Sequence, residues 1–228
     1  MKHKGKARQA GFRLIRWTLV VLVLLCAGGI ATTLVGSVIA VLAAGLIGVW
    51  FLFAVFVLFF FRDPDPVVPT GPNLWIAPAH GKVDVVDEIE EPEFIGGPCR
   101  RVSIFLSIFN VHVQYAPVAG QIACVRQRSG QYVNAMNPRA AEVNENVYIG
   151  LESAEVAGEK VGLRLIVGLI ARRIVPWISV GDQVARGERI SLIQFGSRCD
   201  LYLPLTAQIQ VKPGDHIRGG ETVIATRT

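Results

Sequence analysis

A chain of 228 residues has room for one globular domain and something more, and a hydrophobic content of 51% exceeds that of an ordinary soluble protein. The net charge of +5 is uneven: Lys2, Lys4, Lys6, Arg8, Arg13, Arg16 and Arg62 all precede the first acid, Asp63, so these seven cations leave the chain from Asp63 onward at −2. The basic character therefore belongs to the N-terminus. That argues against nucleic-acid binding, which needs a basic patch on the folded domain, and for a topology signal or a contact with anionic lipid.

Residues 1–16 form the basic tail, and the 45 residues from Trp17 to Phe61 contain no charge. A bilayer core takes about 20 helical residues per crossing, so this run predicts two transmembrane helices, near 17–35 and 38–61. The break is expected at Thr32-Thr33-Leu34-Val35-Gly36-Ser37, where small and β-branched residues cluster. Trp17, Trp50 and Phe59-Phe60-Phe61 suit the interfaces. A cleaved signal peptide has a shorter apolar core, and the length also argues against a buried core pair. The basic N-terminus is expected in the cytoplasm. Two crossings return the following domain to the cytoplasmic side of a cell (inner) membrane. Arg62-Asp63-Pro64-Asp65-Pro66-Val67-Val68-Pro69 stops the helix, because proline can neither donate nor continue it. Residues 62–73 are the predicted junction.

From Leu74 to Thr228 the pattern is short apolar runs divided by Gly, Pro, Asn and Asp, as in Lys82–Val86, Arg101–Leu106 and Gln121–Val125. Such spacing predicts a mainly β domain with one or two short helices. Gly162–Val175 fits either a short helix or a buried strand. An internal repeat relates Val180-Gly181-Asp182-Gln183-Val184-Ala185-Arg186-Gly187-Glu188-Arg189-Ile190 to Pro213-Gly214-Asp215-His216-Ile217-Arg218-Gly219-Gly220-Glu221-Thr222-Val223. Each copy reads as a tight turn, an inward apolar side chain and a second turn into a strand. The unit resembles the quasi-symmetric turns of lipoyl-like, barrel-sandwich domains. No lysine hairpin of the swinging-arm kind accompanies it. Cys26, Cys99, Cys124 and Cys199 lack CxxC spacing, so neither a disulfide framework nor a metal site is expected.

The sharpest local signal is Phe195-Gly196-Ser197-Arg198, followed by Asp200-Leu201-Tyr202-Leu203-Pro204. By itself it reads as a strand, a Gly-Ser turn and another strand. His112, between Val111 and Val113, by itself reads as a structural histidine.

Taken together with Phe60-Phe61-Arg62-Asp63-Pro64, Ala77-Pro78-Ala79-His80-Gly81-Lys82-Val83, Phe105-Leu106-Ser107, Asn110-Val111-His112-Val113, Ala116-Pro117-Val118-Ala119-Gly120 and Ile170-Ala171-Arg172-Arg173-Ile174-Val175, these motifs span nearly the whole chain. In this order they closely resemble the short, membrane-anchored form of the phosphatidylserine decarboxylase family.

The resemblance implies a pyruvoyl enzyme made as a proenzyme. Ser197 would attack the Gly196 carbonyl and the chain would part into 1–196 and 197–228, held together as a heterodimer. The second chain would begin with a pyruvoyl group made from Ser197, with no metal. That carbonyl would combine with the amine of phosphatidylserine and draw electrons as carbon dioxide leaves, giving phosphatidylethanolamine. A higher oligomer is compatible with the sequence. His112 matches the family's motif histidine and is the candidate general acid or base. His80 stands where the family carries aspartate. It could replace that aspartate, Asp84 or Asp87 could supply the charge, or processing could be slow or lost. Tyr115 stands where some longer relatives carry a second histidine. Arg198, Arg172 and Arg173 are candidate contacts to the substrate carboxylate or phosphate. Solvated interfacial charges, or for Arg198 a strand-edge charge, are the plainer alternatives. The competing reading of the whole chain is a non-catalytic, membrane-tethered lipoyl-like domain with a structural or lipid-binding role.

Overall fold

The computed structural model describes residues 4–30, 37–134, 139–169 and 173–227. It divides into two compact units, Gly5–Asp63 and the part from Pro64 onward. The first unit is a pair of helices, α1 (Lys6–Ile30) and α2 (Ser37–Phe60). α1 begins at Lys6, well ahead of the apolar run. Lysine and arginine are good helix formers, and the Asp63 carboxylate accepts the Gly5 N–H at 3.0 Å beside the helix start. The interhelical break, apart from Ser37, lies outside the described residues. Close packing explains Gly11 on α1, since a Cβ added there would stand 3.0 Å from Phe61 Cβ. Trp50 Nε1 donates to Thr18 Oγ1 at 3.0 Å across the pair. Both helices are long and apolar enough to cross a membrane. Leu24, Val41 and Leu52 lie open on their outer faces, an arrangement suited to lipid and costly in water.

The second unit is mostly β, with one short helix, α3 (Ala140–Val143), among the described residues. Its strands are β1 (Leu74–Ile76), β2 (Gly81–Glu91), β3 (Gly97–Leu106), β4 (Val113–Tyr115), β5 (Gly120–Arg128), β6 (Asn146–Ser153) and β7 (Lys160–Val167). They continue with β8 (Arg173–Pro176), β9 (Gln183–Val184), β10 (Arg189–Gln194), β11 (Ser197–Leu203), β12 (Ala207–Ile209), β13 (His216–Ile217) and β14 (Val223–Arg227). The ambiguous stretch after Gly162 is strand, in β7 and again in β8. An eight-stranded sheet runs β13-β2-β3-β11-β7-β6-β5-β9, and two three-stranded sheets run β1-β14-β12 and β4-β10-β8. One apolar core, from Trp75 through Ile104, Leu151, Leu163, Ile193 and Leu201 to Ile224, is shared by all three sheets.

The strand orders disclose a duplication. The large sheet reads β13-β2-β3-β11 from one edge and β9-β5-β6-β7 from the other, and the small sheets match as β1-β14-β12 and β4-β10-β8. The two copies of the Gly-Asp repeat hold opposite edges of the large sheet. In each, the Asp carboxylate closes its turn by accepting an N–H, Asp182 from Ser179 at 2.8 Å and Asp215 from Lys212 at 2.9 Å. The apolar side chains of the repeats, Val184 and Ile217, are buried. Gly181 donates to the Ile122 carbonyl as Gly214 does to Val83, and Gly187 donates to Ala116 as Gly220 does to Ala77. The segments they grip also match: Ala77-Pro78-Ala79-His80-Gly81 and Ala116-Pro117-Val118-Ala119-Gly120.

One half is thus β4 to β10, inserted into the other, which is β1 to β3 completed by β11 to β14. The chain crosses between halves twice, through residues 107–112 and through Phe195-Gly196.

Glu91 ends β2, and its carboxylate accepts the N–H groups of Glu93, Phe94 and Ile95 at 3.0, 2.9 and 2.8 Å. Burial raises this carboxyl, but the three donors outweigh burial and hold it below its ordinary value of 4.5. Its contribution is therefore complete above the unfolded value and is lost as pH falls through the folded one. Glu91→Gln is expected to lower stability by about 2 kcal/mol at pH 7, with the gap to the parent closing on acidification. Thermal melts across pH 3–7 check this; a gap independent of pH would contradict it.

Candidate active site

The second crossover is as short as a chain allows. β10 belongs to a small sheet and β11 to the centre of the large one, with only Phe195 and Gly196 between them. Both adopt left-handed backbone, with φ of 65° and 69°. For Phe195 this costs about 1–2 kcal/mol, and such strain concentrates at functional sites. At Gly196 the need is for the backbone angle and not for room, since an added Cβ would meet nothing closer than Ile108 Cγ2 at 4.0 Å.

Ser197 opens β11, flanked in register by Leu106 on β3 and Val167 on β7. Alternation along the strand puts Ser197 on the face of Cys199, Leu201 and Leu203, all in the core. Its hydroxyl is fully buried with no hydrogen-bond partner among the described residues. A buried polar atom of this kind is costly.

The first crossover supplies the histidine. Asn110 Oδ1 closes the turn by accepting the Ser107 N–H and hydroxyl, both at 2.8 Å. His112, buried, follows this turn. Its Nδ1 lies 2.9 Å from the Asn110 carbonyl oxygen, and its Nε2 lies 3.3 Å from the Gly196 nitrogen. A carbonyl only accepts and a backbone N–H only donates. The contacts therefore assign the neutral tautomer with the proton on Nδ1 and the Nε2 lone pair toward the Gly196-Ser197 turn. The Gly196 carbonyl oxygen accepts the Gly168 N–H at 3.1 Å. A backbone donor of this kind leaves no mark in residue type.

The other candidates fall elsewhere. His80 lies at the opposite end of β4 from His112. Its ring packs edge-on against Tyr115, centroids 6.0 Å apart, and Tyr115 N–H donates to Pro78. Asp84 and Asp87, the alternative sources of charge, are engaged by arginines. Asp87 forms a two-bond pair with Arg101 at 2.9 and 2.6 Å, and Asp84 bonds Arg198 at 2.9 Å. Arg198 also bonds the fully buried Asp200 at 3.0 Å. β11 is a central strand, so this is no edge charge, and the side chain leaves the face opposite Ser197, committed to two carboxylates. Arg172 lies outside the described residues. Arg173 is exposed and pairs in register with Gln194, two residues before Gly196. Cys199, two residues after Ser197, is pushed well above its ordinary value by complete burial and then by the Asp200 charge. It stays a thiol and does not compete as a nucleophile.

Fold and site define a membrane-associated enzyme whose histidine, glycine and serine meet where two halves of a β domain exchange strands. Comparison with known proteins supplies the family. The phosphatidylserine decarboxylase family profile matches residues 53–225. The phosphatidylserine decarboxylase proenzyme of Symbiobacterium thermophilum is 42% identical over 196 residues, covering 83% of this chain and 90% of that protein. The proenzyme of Zymomonas mobilis is 46% identical over 172 residues, covering 72% and 69%. The chain belongs to the phosphatidylserine decarboxylase family.

Relief of strain at Phe195 is measurable without chemistry. In a Ser197→Ala background, Phe195→Asn is expected to stabilise the chain by about 1 kcal/mol, because asparagine tolerates left-handed backbone. Thermal unfolding reads this out; an unchanged or lowered midpoint would contradict strain at the crossover.

Proposed function

We propose that the chain cuts itself between Gly196 and Ser197 and then decarboxylates phosphatidylserine to phosphatidylethanolamine in the membrane. The observation that carries this is the buried Ser197 hydroxyl, without a hydrogen-bond partner among the described residues, one residue beyond a left-handed glycine whose N–H rests on the His112 Nε2. The residues present fit the origin of a pyruvoyl group, since the scissile dipeptide, a basic nitrogen and an apolar flank lie together.

In this reading a base takes the Ser197 hydroxyl proton, and Oγ bonds to the Gly196 carbonyl carbon. The carbon–nitrogen bond breaks, the Ser197 nitrogen takes a proton, and an ester results. Loss of the Ser197 Cα proton expels the Gly196 carboxylate and ends the first chain at 196. Water then replaces the nitrogen of the dehydroalanine so formed, releasing ammonia and leaving the pyruvoyl group on residue 197. When formed, that carbonyl is the electron sink for decarboxylation.

His112 serves as acid or base, its orientation fixed through Nδ1. Arg198, held by Asp84 and Asp200, anchors the new chain start in the sheet after the cut. Exposed Arg173 is the candidate contact to the lipid phosphate. His80 acts, in this reading, in place of the family's aspartate. The two cleaved chains stay together as a heterodimer, because β11 is paired on both sides. The basic N-terminus supports placing both N-terminus and β domain in the cytoplasm, at the inner membrane.

Phenylhydrazine is expected to label only the fragment starting at 197 and to abolish carbon dioxide release from phosphatidylserine vesicles. Release that survives complete labelling would refute a carbonyl-dependent mechanism. His112→Ala should slow appearance of the two fragments by about 10²–10⁴-fold, followed on denaturing gels. His80→Asp should speed it; an unchanged rate would remove position 80 from the machinery.

A further inference from the structure

We propose that the backbone N–H of Gly168 is the oxyanion donor of self-cleavage, a role that rests on the proposed cut at Gly196–Ser197. The hydrogen bond from Gly168 to the Gly196 oxygen, 3.1 Å, is the last rung between β7 and β11, one step beyond the Val167–Ser197 pair. In the resting chain it is an ordinary amide–carbonyl bond. Its partner changes when Ser197 Oγ bonds to the Gly196 carbonyl carbon. The carbonyl π pair then moves onto the oxygen that Gly168 already holds, and the bond becomes charge-assisted, shorter and stronger. When the carbon–nitrogen bond breaks, that pair returns to form the ester carbonyl. The donor therefore binds the tetrahedral state better than either neighbour, which is what lowers a barrier.

Three observations argue for this role. The site is apolar, with Leu106 and Val167 flanking Ser197 in the core, so a single dipole acts with little screening. The nearby cation, Arg198, lies on the opposite face and is bound by Asp84 and Asp200. Gly196 is gripped at both ends, its N–H by His112 and its oxygen by Gly168, so its carbonyl cannot rotate away from the donor as Oγ approaches. Residue 168 is backbone-only in this function, and glycine leaves its N–H unobstructed.

The test removes the N–H and keeps the shape. Full-length chain made by cell-free synthesis into phospholipid nanodiscs would carry Gly168→glycolic acid, which replaces the N–H by oxygen; Gly168→Pro is the genetic counterpart. The control is Val167→α-hydroxyisovaleric acid, which deletes the neighbouring bond from Val167 N–H to the Glu145 oxygen at 3.1 Å and leaves Gly196 untouched. Processing of intact chain is followed together with hydroxylamine cleavage at residue 196 specifically, read by mass as release of the piece beginning at 197, which separates it from cleavage at the introduced backbone ester. Thermal midpoints are taken in a Ser197→Ala background.

Gly168→glycolic acid is expected to slow processing about 10²–10³-fold, with no rise in hydroxylamine cleavage at residue 196. The control should lose a similar amount of thermal stability while processing near the parent rate. Equal slowing by the control would mean a structural rung only. Slow processing with ester accumulating would put the role after the acyl shift. Either result overturns the proposal, as does parent-rate processing of the Gly168 variants. A parent chain that never splits refutes the underlying cut itself, and so is told apart from failure of the donor.

Discussion

Two residues carry the chain from one half of the β domain to the other, and this constraint organises the site. Because β10 and β11 belong to different sheets, Phe195 and Gly196 must both turn left-handed. The turn leaves Ser197 at the mouth of a central strand, facing the core between Leu106 and Val167. The first crossover, through Asn110 and His112, meets the second, because the strands it joins are neighbours of β10 and β11. Duplication thus supplies a reason for the location. A site at the double crossover draws its histidine from one connection and its serine from the other, and each is fixed by a sheet that exists for other reasons.

The same architecture explains how a cut there could leave the fold standing. Ser197 to Leu203 pair with β3 along their whole length and with β7 nearly as far. Arg198 ties the strand to Asp84 on β2. The cut falls at the strand's first residue, so the pairing from Arg198 onward is kept on both sides. The strain at Phe195 would be released by the same event, which makes the uncut chain the less comfortable of the two states.

Much of this was legible in the sequence, and the gaps have physical causes. The helix pair was readable because 45 uncharged residues have few other destinations. α1 extends further toward the N-terminus than hydropathy suggests, since charge does not end a helix of lysine and arginine. The Gly-Asp repeat was visible because glycines at positive φ, such as Gly181 and Gly214, admit few substitutes. The strands between the repeats have diverged to any residue of suitable volume, so the full duplication emerged only from strand order. At the candidate site, the motifs named Gly196, Ser197 and His112, and the structure brings Gly196 and His112 within hydrogen-bond distance. Arg198 lies on the face opposite Ser197 because adjacent residues of a strand point to opposite sides, a rule of period two that the sequence itself could have supplied. Gly168 had no side chain to betray it.

Membership of the phosphatidylserine decarboxylase family, two membrane-length helices and this crossover are the grounds for proposing a lipid-directed enzyme whose reactive group comes from its own backbone. The central claim of that proposal is the fate of the Gly196–Ser197 bond. Intact-mass measurement of the purified protein tests it most directly. The account predicts two polypeptides, 1–196 ending in a free carboxylate and 197–228 with a pyruvoyl mass and no N-terminal amine. A single uncut chain of 228 residues under all conditions, or a second chain that begins with an unmodified serine, would contradict it.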